Sequence, residues 1–168
     1  MSKSILISVI IPIYNEQNTI LNLLKSFSKL RQVINLEIIL INDGSNDNTL
    51  SILEDNETLY NKLINLDKNY GKGKAIIEGI KISSGTHIYF QDADLEYPSE
   101  NLLKFYKKYN STNADLIIGS RFISDQASIL YFWHKLGNIL ITFLFNIFNN
   151  KTLTDVYCCN IFFQKNLL

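Results

Sequence analysis

The sequence predicts an α/β domain built on a mostly parallel sheet with helices on both faces. Three observations carry the prediction. Short apolar, β-rich runs recur at residues 5–11, 37–41, 63–66, 88–90 and 114–119, and segments with apolar residues at helical spacing lie between them. The runs at 5–11 and 37–41 are almost continuously Ile, Val and Leu, which suits strands buried on both faces. Polar clusters around Tyr14, Asp43, Asp92 and Arg121 follow four of the runs directly.

Taken in order, the first run is expected to end at Pro12. Pro12-Ile13-Tyr14-Asn15-Glu16 then leads into a helix over 16–30, with Ile20, Leu23, Leu24, Phe27 and Leu30 on one face. After the second run, the segment from Asn42 to Thr49 is dense in turn formers and N-cap residues and introduces a helix over 48–56. The third run precedes Asn69-Tyr70-Gly71-Lys72-Gly73-Lys74-Ala75, which opens a helix through Ile82. Residues 88–90 run straight into Asp92, Asp94 and Glu96, and Pro98 stops the extended run before a helix over 99–109. The strand over 114–119 closes with Ser120-Arg121-Phe122. Such alternation implies right-handed crossovers, with ligands bound outside the carboxyl ends of the strands. The four polar clusters are therefore predicted to line one crevice.

A long helix is predicted over 131–148. Lys135, Asn138, Thr142, Asn146 and Asn149 recur at steps of three or four, and Leu, Ile, Phe and Trp fill most other positions. Its polar residues interrupt it too often for a bilayer span, so it is expected to lie in a membrane interface or to pack on the sheet or a partner segment. A final short strand is expected at 160–163.

The 168 residues suit one domain over 1–168, and 46% hydrophobic against 19% charged residues is a globular balance. Lys plus Arg equals Asp plus Glu at 16 each, which leaves no broad basic footprint, so no nucleic-acid partner is expected. Cys158 and Cys159 are adjacent, a poor geometry for a disulfide and too few for a zinc site, which favours a reducing, cytoplasmic setting. The N-terminal apolar run is too short for a signal peptide or a span and reads as part of the fold.

The acids at 92, 94 and 96 alternate along an extended segment, so their side chains should project to one side and converge on a cation. Hard oxygen ligands suit Mg²⁺ or Mn²⁺, with a substrate diphosphate completing the shell. No Gly-x-Gly-x-x-Gly follows the first strand, and Gly71-Lys72-Gly73-Lys74 lacks the Walker spacing. His87 and His134 are the only histidines and neither sits in a nucleophile elbow, which argues against a hydrolase triad. What remains is a site for a nucleotide diphosphate: Asp43 for base or ribose, Asp92 and Asp94 for metal, Arg121 for phosphate charge. Each has a plainer role available, Asp43 in a turn, Glu16 capping its helix and Arg121 in a surface ion pair.

Five stretches in this order resemble family 2 glycosyltransferases of the GT-A, Rossmann-like fold: the residues from Ser8 to Glu16, Asn42-Asp43-Gly44-Ser45, Asn69-Tyr70-Gly71-Lys72-Gly73, the residues from Gln91 to Pro98, and Gly119-Ser120-Arg121. Asp92-Ala93-Asp94-Leu95 with Pro98, followed by Gly119-Ser120-Arg121, is similar to the polyprenyl-phosphate branch, the dolichyl-phosphate mannose and undecaprenyl-phosphate glucose synthases. The resemblance implies a nucleotide-sugar part over 5–122 and an acceptor-side part over 131–168, without the C-terminal extension usual in relatives. It implies that Pro12, Tyr14, Glu16, Ile41, Asp43, Lys72, Asp92 and Ala93 border the nucleotide. Asp92, Asp94 and Glu96 would hold Mg²⁺ or Mn²⁺, and Asp94 and Arg121 would act at the departing diphosphate.

The implied reaction moves a hexose, with inversion, from UDP-glucose or GDP-mannose to a polyprenyl phosphate. The implied location is peripheral, on the cytoplasmic face of a membrane, with room for a membrane-protein partner. Two departures stand out: Asn42 replaces a carboxylate, and Asn160 stands where relatives often carry Lys or Arg. Two other readings remain open, a transferase acting on a saccharide hydroxyl with Asp155 as base, and a shortened, catalytically silent nucleotide-sugar-binding domain.

Overall fold

The computed structural model describes residues 5–120 and 132–168. Its elements are β1 (Ile7–Ile13), α1 (Ile20–Leu30), β2 (Leu36–Asn42), α2 (Thr49–Glu54), β3 (Lys62–Asn65), α3 (Lys72–Ile82), β4 (His87–Phe90), α4 (Asn101–Thr112), β5 (Leu116–Ile118), α5 (Phe132–Asn149) and β6 (Ile161–Gln164). Single 3₁₀ turns occupy Glu57–Leu59 and Lys165–Leu167. The strands form one six-stranded sheet in the order β3-β2-β1-β4-β6-β5.

β1 pairs parallel with β2 and β4, and β2 pairs parallel with β3. β6 is antiparallel to both its neighbours, β4 and β5, so five strands share one direction and the last returns between two of them. A mostly parallel sheet is therefore what forms. The reversal also has a positional effect, because an antiparallel β6 begins at the edge where β4 ends, which brings Cys159 and Asn160 beside the loop that follows β4.

Side-chain alternation divides the core between the two sheet faces. Ile7, Val9, Ile11 and Ile13 of β1, with Leu36, Ile38 and Leu40 of β2, meet α1, α2 and α4 through residues such as Leu23, Phe27, Leu53, Leu102 and Phe105. Ile10, Ile39 and Ile41 point the other way, toward Ala75 of α3. A Cβ at Gly79 would lie 2.6 Å from Ile10 Cγ2, so a glycine lets α3 sit this close to the sheet. Helices cover both faces, as expected.

Two of the boundaries that depart from the sequence reading border the crevice. β1 continues through Pro12 to Ile13. Ile10 C=O accepts the Gln91 N–H on the β4 side, and by alternation the Pro12 nitrogen faces that same side, beyond the last β1–β4 pair at Ile10 and Phe90. A proline there removes no ladder hydrogen bond. α1 begins at Ile20 rather than at 16. Asn15 takes a left-handed φ of 57°, and the N–H groups of Glu16 and Gln17 donate to Thr49 Oγ1 and Asp47 Oδ2, which holds this stretch as a loop.

α5 turns Asn138, Thr142 and Asn146 to the protein and most of its apolar residues outward. Asn138 Nδ2 donates to Asp155 Oδ1 at 3.2 Å, and Thr142 Oγ1 accepts the Val156 N–H at 3.2 Å. Asn146 exchanges two hydrogen bonds with the Leu153 backbone. Leu140, Phe143, Ile147 and Phe148 are exposed, Phe148 by 82%. Among the described residues, no helix is long and apolar enough to cross a membrane.

Candidate functional site

The chain passes from β1 to β2 and β3 on one side, then returns through α3 to place β4 on the other side of β1. The sheet order therefore reverses between β1 and β4, and at such a switch point the flanking loops part and leave a crevice at the carboxyl strand ends. A cavity of about 320 Å³ opens there, lined by Pro12, Ile13, Tyr14, Glu16, Asp43, Asn69, Gly71, Lys72, Asp92, Ala93 and Asp94. That volume falls within the range of small-molecule sites.

Two loops form one wall by fastening each other. The Asn15 N–H donates to Ser45 Oγ and the Asn46 N–H donates to Asn15 Oδ1, both at 2.9 Å. The Asn48 N–H donates to Gln17 Oε1 at 3.1 Å. Glu16 accepts the Thr19 hydroxyl with its carboxylate, a local helix-start contact of the plainer kind. Asn42, buried, donates to Asn65 Oδ1 at 2.7 Å and accepts the Ser45 hydroxyl, so the amide is occupied in shaping this turn.

Asp43 is also buried, and its oxygens accept the Tyr70 N–H at 2.9 Å and the Gly71 N–H at 2.8 Å. The carboxylate thus secures the loop that begins α3. Gly44 makes this contact tight: its φ is +66°, and a Cβ there would lie 2.3 Å from the Lys68 carbonyl carbon. With Gly71 anchored, Lys72 enters the crevice at the first position of α3 and forms an ion pair with Asp92. Burial alone would lower the Lys72 ammonium, but hydrogen bonding and charge from Asp92, joined by the Cys159 thiol, outweigh it and raise the pKa. Burial and the charge of Asp92 push the Cys159 thiol up.

The loop after β4 keeps strand-like alternation only briefly. Gln91 and Ala93 are buried while Asp92 and Asp94 line the crevice. Leu95 then turns left-handed with φ 64°, and the Glu96 N–H donates back to Asp94 Oδ1 at 3.0 Å. Gln91 Nε2 closes the loop by donating to the carbonyls of Asp92 at 3.0 Å and Tyr97 at 2.9 Å. The extended run expected through Glu96 therefore ends early, and Glu96 does not line the crevice. Among the described residues, no three His, Cys, Asp or Glu side chains gather around one cation position.

Of the residues expected to border a nucleotide, Pro12, Tyr14, Glu16, Asp43, Lys72, Asp92 and Ala93 meet in the crevice. Ile41 does not, because the pleat turns it toward α3, where it is fully buried. Asp155 is 1% exposed and accepts hydrogen bonds from Asn138 and from the Tyr157 N–H, away from the crevice lining. Arg121 lies outside the described residues. Cys159 had no signal in the sequence, since only the strand reversal brings it to Lys72 and Asp92. Asn69 and Gly71 were visible as a turn motif without an assigned contact.

Fold and site define an α/β domain whose ligand crevice sits at a topological switch point. The family described as glycosyl transferase family 2 matches residues 8–168, and the chain belongs to that family. It is 34% identical over 118 residues to the dolichol-phosphate mannosyltransferase of Pyrococcus furiosus, covering 70% of this chain and 33% of that protein. It is 37% identical over 103 residues to the undecaprenyl-phosphate 4-deoxy-4-formamido-L-arabinose transferase of Proteus mirabilis, covering 57% of this chain and 31% of that protein. The chain spans between 31% and 50% of the length of such curated relatives.

Among solved structures, glucosyl-3-phosphoglycerate synthase of M. tuberculosis superposes with a TM-score of 0.72, covering 98% of this chain and 58% of that one. At 18% identity the likeness is one of fold, the GT-A fold that the motifs implied. That synthase has also been crystallised with Mn²⁺ and uridine-diphosphate-glucose.

Proposed function

We propose that this chain carries the donor site of an inverting, metal-dependent hexosyltransferase, which takes its sugar from UDP-glucose or GDP-mannose and delivers it to a polyprenyl phosphate. The observation that carries this reading is the crevice itself, where Tyr14, Asp43, Lys72, Asp92 and Asp94 converge at the switch point. Pro12 and Tyr14 offer an apolar wall and a ring for the nucleoside. The Lys72 ammonium offers charge-assisted hydrogen bonds to the diphosphate, and Arg121 is assigned the remaining phosphate charge.

The donor set fits a hard cation. Mg²⁺ is commonly held by one or two carboxylates plus substrate phosphates, so Asp92 and Asp94 suffice without a third protein ligand. Bound there, Mg²⁺ or Mn²⁺ would neutralise charge on the departing nucleoside diphosphate. In the transfer, an acceptor oxygen forms a bond to the anomeric carbon from the face opposite the diphosphate. The bond to the diphosphate breaks, and the electron pair leaves with it.

A polyprenyl phosphate is already an anion near neutral pH and needs no general base. Among the described residues that line the crevice there is no histidine, in keeping with that acceptor. A saccharide hydroxyl would need a base, and the buried, hydrogen-bonded Asp155 is poorly disposed to serve. A membrane surface as partner is supported by α5, whose outward face is apolar, which carries no acidic residue, and which has Lys135 in its first turn and Lys151 just past its end. Two relatives are named for dolichol phosphate and undecaprenyl phosphate substrates.

The test is calorimetric titration of UDP and GDP into the purified protein, with and without Mn²⁺. Binding of one nucleotide that strengthens with Mn²⁺ is expected. No binding of either by the folded protein would overturn the reading in favour of a catalytically silent domain.

A further inference from the structure

Resting on that donor-site reading, we propose that Lys72 is a displaceable counter-ion: it holds Asp92 in the ligand-free protein, and an arriving nucleoside diphosphate draws it away and opens Asp92 to the cation. Nucleotide and cation then bind as one coupled event.

The geometry separates what is fixed from what moves. Asp43 anchors the Tyr70 and Gly71 N–H groups, so the backbone that carries Lys72 is held while its four-carbon stem is not. The Lys72 side chain is 46% exposed and that of Asp92 16%, so the lysine stem borders open solvent into which it can swing. The ammonium pairs with Asp92 Oδ1, and a divalent cation on the same carboxylate would share its single charge and be repelled by the ammonium at that distance. Asp94, two residues on, has no ion pair among the described residues. The cation therefore competes with Lys72 at one of its two expected ligands.

Lys62 shows how a lysine looks when it is not meant to leave. Its ammonium donates both to Glu37 and to the Ile82 carbonyl at 2.6 Å, and three other donors fix Glu37. Lys72 has Asp92 and the weakly accepting thiol of Cys159. A diphosphate offers stronger acceptors than that thiol, and more of them. By linkage, whatever factor the nucleotide contributes to cation affinity, the cation contributes to nucleotide affinity.

The test titrates Mn²⁺ alone, followed by electron paramagnetic resonance, into the wild-type protein, Lys72→Met and Lys72→Arg, each shown to be folded by circular dichroism. The titrations are then repeated with UDP and with GDP. Lys72→Met is expected to bind Mn²⁺ without nucleotide about two- to fivefold more tightly, the range of a partly exposed ion pair. Its cation–nucleotide coupling factor should fall by about that same factor, the diphosphate's own ligation of the cation remaining, while Lys72→Arg stays near wild type. A merely structural lysine would, on removal, loosen the loop and weaken cation and nucleotide together. Equal or weaker Mn²⁺ binding by Lys72→Met overturns the proposal, as does failure of both wild type and Lys72→Met to bind Mn²⁺. Failure of wild type to bind UDP or GDP sinks the donor-site reading instead, and the Mn²⁺ titration alone still decides the competition at Asp92.

Discussion

The two edges of the sheet use the same chemistry, a carboxylate and a lysine, to opposite ends. At the amino edge, Glu37 is buried, accepts Ser8 Oγ at 2.5 Å and the Ser84 N–H at 2.8 Å, bonds the Ser84 hydroxyl and pairs with Lys62 at 2.7 Å. Ser8 Oγ accepts the Gly85 N–H in turn, so β1, β2, β3 and the entry to β4 are tied through one closed network. At the carboxyl edge, Asp92 and Lys72 form a pair in an open crevice, and Asp94 beside them accepts one backbone N–H. A network with its acceptors filled holds strands together, whereas one left partly unfilled can take up a ligand.

The largest effect that would break this contrast lies at the open edge. Asp94→Asn is expected to lower sugar transfer by about a thousandfold, the scale of losing one group that stabilises developing charge, with the melting temperature nearly unchanged. Unchanged turnover in this variant would remove Asp94 from the donor site.

At the closed edge the expectation inverts. Glu37→Ala should cost about 3 kcal/mol, the low end for breaking a buried pair because Lys62 still reaches water, and lower the melting temperature by about 6–12 °C. UDP binding by the folded protein should persist. The same carboxylate contributes to the acid limb of stability. Burial would raise its pKa, but hydrogen bonds from Lys62, Ser8 and Ser84 outweigh burial and bring it to about 2. A carboxyl depressed in the folded state contributes stability above its unfolded pKa and loses it as pH falls. The loss should therefore begin near pH 4.5 and run toward about 2, and Glu37→Gln should flatten that limb in a urea–pH series. Burial holds His87 below its ordinary value, so a smaller loss should begin already as pH falls below about 6.5.

The smallest effect concerns a region that belongs to neither edge. Phe143→Ser with Phe148→Ser should change stability by less than about 0.5 kcal/mol, since both rings are exposed and leave no cavity. Binding to anionic lipid vesicles should fall severalfold. Unchanged vesicle binding would remove the membrane from the reading of α5.

The sequence made strand and helix order readable because burial on two faces leaves unbroken Ile-Val-Leu runs, as in β1 and β2, and α1 shows a single apolar stripe. It was less informative wherever a contact comes from a distant segment. Pro12 reads as a strand breaker until the β1–β4 pairing is known to stop at Ile10. Ile41 reads as a neighbour of Asp43 until the pleat turns it under α3. Asp92, Asp94 and Glu96 look equivalent by spacing, but Leu95 adopts a left-handed conformation, and alternation no longer applies beyond it.

What the sequence alone determined is the alternation of strands and helices, the family and most of the crevice lining, because these follow from local periodicity and from short motifs at strand ends. The tertiary structure alone decided that β6 reverses and carries Cys159 to Lys72 and Asp92, that Asp43 secures a loop, and that α5 turns Asn138, Thr142 and Asn146 inward. Each of those outcomes depends on groups far apart in the chain, and local preference does not encode which distant donor an acceptor will meet.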